Sequence, residues 1–551
     1  VTRSTAPDGR SAGPAGRART GDPAEPYDLV VVGAGPAGLA GAVTAAEQGL
    51  SVALLDGDAG LGGQFYRQPA PALGATRPQA LHHDWPAFAA LRRRWEASGG
   101  VHLPEHHVWT VVAERLAGPA TGAGGAGWAV HAATGPDGEG GRPEPVRGRA
   151  VLLATGASER HLPFPGWTLP GVVGAGGAQA MLKAGLVLPG RRVVVAGSGP
   201  LLLAVASSLT AAGARVPALV EAAGYLGYAR RPGVLAASPG KAAEAVGHLA
   251  PLLRHGVRAY VRHAVIRAHG TSRVEAVTVA RLDRDWRPVP GTGRIVRCDA
   301  VAVGHGLVPR IDLATALGCA VRSTADDAPA LVLDAGQATS VPGVWSAGET
   351  AGPGGARLAL IEGELAALAV ARRLRGDTAG APRGRLRALL RARTRLRAFA
   401  ALMAAAHAPG EGWRHWLDDT TEICRCEEVT AGRIHEAVED LGAGDARSVK
   451  LLTRAGMGWC QGRVCGAAVA CLARGGAAPA TGGPPLPASP ERRPLAVPVT
   501  LGALAALAPP RPAPTDTATP PGSAPAPAPG DASAPAPADT PADTPDGPRQ
   551  P

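Results

Sequence analysis

Aromatic residues are scarce in this chain: 4 Phe, 5 Tyr and 10 Trp among 551 residues, 3% in all. Hydrophobic residues reach 45%, so a sizeable core is expected, but one built mostly of Ala, Val and Leu. Lysine is scarcer still, present as Lys183, Lys241 and Lys450, so the net charge of +11 is carried almost wholly by Arg. Abundant Arg beside abundant Ala, Gly and Pro reads as a compositional bias, and no nucleic-acid-binding motif accompanies it. Long hydrophobic runs are missing too. The longest late apolar stretch, LAVPVTLGALAALA at 495–508, is too short to span a bilayer and contains Pro498. The N-terminal region carries charges but no apolar core of a signal peptide. These absences lead to the expectation of a cytoplasmic protein with no transmembrane segment and no nucleic-acid partner. In that reducing setting clustered Cys are more often metal ligands than disulfides.

The length suggests roughly three domains. Residues 1–26 and 475–551 are Ala-, Gly- and Pro-rich with no apolar periodicity. They lack the apolar surface to offset ordering entropy and are expected to be disordered tails.

The segment YDLVVVGAGPAGLAGAVTAAEQGLSVALLDGD, Tyr27 to Asp58, reads strand, glycine loop, helix, strand, acid. In the loop Gly33-Ala34-Gly35-Pro36-Ala37-Gly38, Gly33 makes the tight turn and Gly35 lets backbone approach a pyrophosphate. Gly38 lets helix and strand pack closely. The helix N-terminus stabilises phosphate charge, and Asp56 is placed to bond adenosine ribose hydroxyls. Gly62-Gly63-Gln64 follows the second strand directly, and VLLATGASER ends a later strand at Thr155-Gly156. Far downstream VPGVWSAGETAG ends at Gly348-Glu349 before a long helix. This arrangement resembles the two-dinucleotide flavoproteins of the glutathione-reductase type. The resemblance implies FAD held by two halves of one domain, with Gly63 and Gln64 crossing the flavin and Glu349 standing where an Asp contacts the ribityl chain.

Between the halves, RRVVVAGSGPLLLAVASSLTAAGARVPALVEAA repeats the pattern. Gly197, Gly199 and Glu221 match a nucleotide loop and its acid, but Leu202 occupies the third glycine position and predicts altered helix packing. The architecture is that of an NAD-type domain; NAD(H) binding stays open. No Cys follows the Gly62-Gly63-Gln64 loop and the second domain has no CxxC, so disulfide reduction is excluded for want of a sulfur beside the flavin. Cys298, Cys319 and Cys471 read as core or surface thiols.

Four of the seven Cys gather late in the chain. Cys424-x-Cys426 precedes EEVTAGRIHEAVEDLG, a helix opened by Thr430, and Cys460-x4-Cys465 lies in a glycine-rich loop entering another helix. Gly456, Gly458, Gly462 and Gly466 allow close backbone approach to sulfur. Four thiolates select an iron–sulfur unit or zinc. Tetrahedral zinc normally uses CxxC knuckles, so a [2Fe–2S] cluster is the reading, with zinc and purely structural Cys as rivals.

This late domain resembles the bacterioferritin-associated-ferredoxin type. Together with GGQFYRQP at 62–69, FPGWTLPGVVGAGGAQAMLKAG at 164–185, GSGPLLLAVA at 197–206 and AVGHGLVPRIDLATALGC at 302–319, the chain resembles one flavoprotein-subunit family over about residues 27–474. That family contains the larger flavin subunit of opine oxidases, the B subunit of hydrogen cyanide synthase, and the alpha subunits of D-hydroxyproline and dye-linked proline dehydrogenases. The resemblance implies that an amino-acid-oxidase-like partner subunit oxidises the C–N bond of an amino acid or opine. This chain would then carry electrons from FAD to [2Fe–2S], often with a small ferredoxin-like subunit. Leu202 belongs to that family's pattern.

The expected order is therefore an α/β, two-dinucleotide-domain Rossmann flavoprotein with a small helical [2Fe–2S] domain. FAD halves are expected at 27–160 and 296–376, the NAD-type domain at 161–295, a helical linker at 377–420 and the [2Fe–2S] domain at 421–474. The stretch 104–150 reads as a β-meander with a disordered turn at Ala120–Gly127. The linker's Leu386, Leu389, Leu390, Leu396 and Phe399 make a packing stripe, while its Arg383–Arg397 run offers a face for an acidic partner. His82, His83, His106 and His107 read as solvated or structural, with His305 a weak exception. Arg67 reads either as a counter-charge to the flavin or as a surface ion pair. No catalytic acid/base pair is apparent. A self-sufficient NAD(P)H-dependent reductase and a non-catalytic flavin scaffold are the rival functions.

Overall fold

A computed structural model describes residues 25–82, 84–116, 125–141, 144–376, 382–474, 493 and 495–505. Most of both expected tails, and His83, lie outside the described residues. The first domain starts with β1 (Tyr27–Val32), α1 (Pro36–Glu47) and β2 (Val52–Leu55). After α2 (Trp85–Ala97) and β3 (Val101–Leu103) come the long antiparallel strands β4 (His106–Leu116) and β5 (Gly125–Thr134), then β6 (Val146–Leu153). The parallel order β3-β2-β1-β6 is extended by the meander β6-β5-β4. Leu29, Val30 and Val31 are wholly buried, as a strand covered on both faces requires. The disordered turn expected at Ala120–Gly127 is shorter than that: Gly125, Ala126 and Gly127 pair with Leu116, Arg115 and Glu114. A Cβ on Gly127 would fall 2.1 Å from Leu116 Cδ1, so the glycine suits a strand as well as a turn.

The second domain enters through β7 (Ala157–Glu159) and continues with β8 (Val172–Gly174), α3 (Ala175–Gly185), β9 (Val193–Gly197), α4 (Leu201–Ala211) and β10 (Ala218–Glu221). Then follow α5 (Pro232–Ala236), α6 (Pro239–Arg254), β11 (Arg258–Val261) and a three-stranded antiparallel layer of β12 (His263–His269), β13 (Ala276–Arg281) and β14 (Arg294–Arg297). The main sheet runs β11-β10-β9-β15-β8, all parallel, with β15 at Ala300–Gly304. Thus residues 296–304, expected in the returning FAD half, complete the second domain instead. An all-apolar strand such as AVAVG suits either sheet, and only pairing decides between them. The chain returns through β16 (Leu307–Pro309), which pairs antiparallel with β7, so the two interdomain crossings form one ribbon.

The returning half holds α7 (Asp312–Ala316), β17 (Val321–Ser323), β18 (Pro329–Leu331), β19 (Val344–Ser346) and α8 (Ala356–Arg375). β19 pairs parallel with β6, which puts α8 across α1. That crossing is close: a Cβ on Gly363 would lie 2.0 Å from Ala37 O. The linker is α9 (Arg383–Ala406). Its stripe packs inward, with Leu396 buried, and so do two arginines of its basic run. Arg393 and Arg397 pair with the fully buried Glu362 at 3.2 and 2.6 Å.

The C-terminal domain comprises β20 (Glu422–Cys424), β21 (Val429–Thr430), α10 (Ala431–Glu439), α11 (Ala446–Thr453) and α12 (Gly466–Ala473). Thr430 caps α10 through Arg433 N, and Asp445 caps α11 through Arg447 N and Ser448 N. This domain shares one continuous core with the second domain, in which Val194, Val277 and Val301 cluster with Ile423, Ile434 and Val469. Four tryptophans, Trp167, Trp286, Trp413 and Trp416, lie in that core. Trp286 and Trp416 stack with centroids 6.1 Å apart and planes 4° apart, and Trp416 Nε1 donates to Trp286 O at 3.0 Å. A short later segment, ending in α13 (Leu501–Ala505), also departs from the expected tail: Ala496 is buried and its N–H donates to Trp109 O at 2.9 Å. Among the described residues no helix is long and apolar enough to cross a membrane.

Trp416→Ala removes the stacked ring from this core and is expected to cost about 3–5 kcal/mol. Chemical denaturation followed by fluorescence should show the C-terminal domain melting before the rest; an unshifted transition would contradict the shared core.

Candidate flavin and iron–sulfur site

The first glycine loop is held by its neighbours. Gly33 has φ +103° and donates to Leu55 O at 2.7 Å. A Cβ on Gly38 would sit 1.8 Å from Gly33 O, and one on Gly33 2.4 Å from Ala154 O. Gly35 differs, because a Cβ there would meet only Gly63 Cα, at 4.0 Å. The open side of Gly35, at the first turn of α1 with Pro36 and Ala37, is therefore free for a phosphate. Gly63 closes against Gly35, and a Cβ on Gly348 would lie 2.9 Å from Ala37 Cβ. Thr155 donates its hydroxyl to Arg310 O and Gly156 O accepts from Arg310 N at 2.9 Å, while nothing lies within 4 Å of a Cβ on Gly156. The two halves thus converge on one groove whose walls are glycine backbone, and the residues present fit an FAD. Gln64 is exposed beside it.

The acids are engaged more locally than the sequence implied. Asp56 accepts from Ala34 N and Asp58 N, and burial raises its pKa. Glu349 accepts from Gly354 N at 3.1 Å and Gly355 N at 2.9 Å, so its extra methylene carries the carboxylate to the start of α8; burial raises its pKa too. Arg67 pairs with Asp58 at 2.6 Å.

In the second loop Gly197 has φ +137°, and a Cβ on it would lie 1.7 Å from Gly304 O. Leu202 is buried and is accommodated by a cluster of small partners, Ala175, Ala178, Ala300 and Ala302. The helix therefore keeps its place without a third glycine. Glu221, 4% exposed, accepts from Gly199 N at 3.1 Å and Ala223 N at 2.9 Å. The carboxylate expected to meet a ribose is committed to its own loop.

The four late Cys come together from two loops. Cys424 and Cys465 are buried, Cys460 is intermediate and Cys426 exposed. Their sulfurs form a chain of neighbours, Cys424–Cys465–Cys460–Cys426. Thiol donation from Cys465, with backbone amides, holds Cys460 down to about 4 and Cys424 down to about 6; Cys465 is pushed far up in return. Gly456 N donates to Cys424 Sγ at 3.4 Å, and a Cβ on Gly458 would lie 2.3 Å from Cys426 Cβ. Among the described residues no three His, Cys, Asp or Glu side chains close on a single-ion site. A soft four-sulfur set with amide donors and one exposed edge fits a [2Fe–2S] unit. By contrast, burial pushes Cys298 up to about 12 and raises Cys319 and Cys471, as for inert core thiols.

The remaining histidines take structural roles. His305 is buried between Trp286 and Trp416, and burial lowers its pKa to about 3. His82 stacks on Trp85 at 5.2 Å, His106 Nδ1 bonds Pro104 O, and His107 Nε2 bonds Gly135 O. Sequence reasoning passed over three groups. Lys183, one of only three lysines, is buried, donates to Phe65 O at 2.9 Å and is brought down to about 8 by burial. Glu159 caps α3 at Gly176 N and Gly177 N. Arg463 on the cysteine loop and Arg493 both reach Asp312, at 3.4 and 2.5 Å. The rarity of Lys was the one available signal; the other partners are far apart in sequence.

Two contrasting glycine variants test the flavin groove. Gly35→Val places a side chain in the groove without a protein clash, so the chain should fold but lose FAD by about tenfold or more in affinity. Gly38→Val meets Gly33 O and should cost more than about 3 kcal/mol. Flavin content and thermal unfolding distinguish the two. Cys460→Ala should leave flavin in place and remove iron and acid-labile sulfide, measured by chemical analysis of anaerobically prepared protein.

Comparison with known proteins agrees with this geometry. Residues 27–372 match the pyridine nucleotide-disulphide oxidoreductase family, and residues 422–473 match the BFD-like [2Fe-2S] binding domain. The chain is 34% identical to hydrogen cyanide synthase subunit HcnB of Pseudomonas aeruginosa over 79% of this chain and 90% of that protein. It is also 34% identical to the larger flavin subunit of the Rhizobium meliloti opine oxidase, over 81% and 92%. The crystal structure of L-proline dehydrogenase from P. horikoshii shares the fold, with a TM-score of 0.58 over 87% of this chain and 79% of that one, at 20% identity. The chain is thus an FAD-dependent oxidoreductase of the pyridine nucleotide-disulphide oxidoreductase family, carrying a C-terminal [2Fe–2S] binding domain.

Proposed function

We propose that this chain is the electron-carrying subunit of a hetero-oligomeric, cytoplasmic amino-acid or opine dehydrogenase, passing electrons from FAD to its [2Fe–2S] cluster. When bound, FAD supplies two-electron uptake with stepwise release, and the cluster supplies a one-electron acceptor. The rest is the work of the chain's own residues. The Gly33–Gly38 loop, Gly63, Thr155-Gly156 and Gly348 would hold the dinucleotide. Cys424, Cys426, Cys460 and Cys465 would hold the cluster.

One observation carries the reading: the cysteine loop is tied to the flavin-binding strand end. Arg463 donates to Cys460 O at 3.2 Å and pairs with Asp312. Asp312 stands two positions after Arg310, which bonds both Thr155 and Gly156. On the other side, the chain leaving Gly156 reaches Trp167, whose Nε1 donates to Glu422 O at 2.6 Å, two residues before Cys424. Arg425 adds a bond to Thr168 O at 3.3 Å. Two cofactors held this way stay at a fixed separation, as electron transfer requires. No acid/base pair for C–N oxidation accompanies them, which supports placing that step in an amino-acid-oxidase-like partner subunit. A small ferredoxin-like subunit would complete the complex.

The test is anaerobic reduction. The purified chain alone should stay oxidised with an amino acid or opine, and bleach when substrate and the partner subunit are both present. Rapid bleaching by NADH alone would favour the self-sufficient reductase; no response by either route would favour the scaffold. Asp312→Ala leaves two partly buried guanidinium groups without their counter-ion and should cost about 2 kcal/mol. It should also slow reoxidation by a one-electron acceptor more than reduction by substrate, measured by stopped flow.

A further inference from the structure

We propose that the second dinucleotide loop is occupied by the chain itself: the C-terminal end of α9 seats His407 where an adenine-containing nucleotide would have to lie, so that NADH is not an electron donor to this chain. A nucleotide in a βαβ unit uses the amides of the glycine loop, the N-terminus of the following helix, and the acid ending the second strand. Here each of these faces a protein group. Glu221 accepts from Gly199 N and Ala223 N and lies 3.4 Å from His407 Nδ1. Ser198, in the middle of the loop, donates its hydroxyl to His407 O at 3.1 Å. The other face of the imidazole is held as well, with Tyr228 OH 3.0 Å from His407 Nε2.

The fit extends beyond polar contacts. The rings of Tyr225 and Tyr228 meet the imidazole edge-on, at 6.2 and 5.6 Å, and Tyr228 stacks on Phe399 one helix face away. Gly227 allows the approach, since a Cβ there would lie 3.1 Å from Ala406 Cα. Ser198, Glu221 and His407 are 3%, 4% and 9% exposed, so a nucleotide has no access to the loop unless this end of α9 leaves. Leaving would be felt elsewhere, because Arg397 on the same helix bonds Gly348 O at 2.9 Å and pairs with Glu362. The two positions are about 15 Å apart along the helix. The plug therefore joins the second loop to the flavin groove, and it holds whichever substrate feeds the flavin.

Isothermal titration of NADH, and separately of ADP, into the full-length FAD-loaded chain tests this. The unmodified chain should show no saturable binding up to about 1 mM. His407→Gly, checked for flavin content and melting temperature, should bind at least about tenfold more tightly, and adding Glu221→Gln should cancel that gain. Micromolar binding that His407→Gly leaves unchanged would overturn the proposal. So would a folded His407→Gly that still does not bind, or a gain that survives Glu221→Gln. If His407→Gly does not fold, hydrogen exchange of the unmodified chain decides. Protection of the Gly199 and Ala223 amides that NADH leaves unaltered supports the plug, and faster exchange at residues 403–407 on adding NADH refutes it. None of these readouts depends on the partner subunit or on amino-acid oxidation, so they separate this inference from the proposed activity.

Discussion

The apolar core shared by the second domain and the cysteine domain is the constraint on which the rest depends. In a chain with so few aromatics, four tryptophans are concentrated at this junction. Large flat rings bury the most surface for the fewest ordered torsions, which suits a small domain that cannot make a large core alone. Ile423 and Cys424 are themselves part of that core, so the packing that fixes the domain also fixes the first sulfur ligand. A cluster domain on a free linker would sample many distances from the flavin; this one is packed into a single arrangement.

A second tie comes from charge. Glu362 is fully buried on α8, and two arginines of α9 neutralise it. A buried carboxylate without such partners would be strongly destabilising. The same α9 ends at His407, against the second glycine loop. One helix, read from sequence as a basic linker, thus touches both dinucleotide loops. Its arginines act mainly inward, which accounts for part of a net charge that has no nucleic-acid motif to explain it.

Much of this was legible in the sequence for a physical reason. The two βαβ units, the interrupted FAD domain and the Cys424, Cys426, Cys460 and Cys465 set all rest on local signals: apolar runs, glycines at fixed offsets, an acid after a strand. Such signals survive because the backbone geometry they serve is local. Thr430 as a cap is the same kind of feature. Where the reading shifted, pairing over long separations had decided. The strand at 300–304 joined the second sheet through Val193–Gly197, and Gly125–Gly127 became strand through Glu114–Leu116.

The sequence by itself determined the nucleotide-binding βαβ units, the sulfur ligand set and the absence of a thiol beside the flavin, because each depends on residue type at short spacing. Tertiary structure alone decided what the acids and bases face. Asp56, Glu221 and Glu349 each turn to backbone amides. Asp312 gathers Arg463 and Arg493, and His407 meets a loop some two hundred positions earlier in the chain. A charged side chain is long and its partner can come from any element, so its role is set by packing, which no periodicity in the chain encodes.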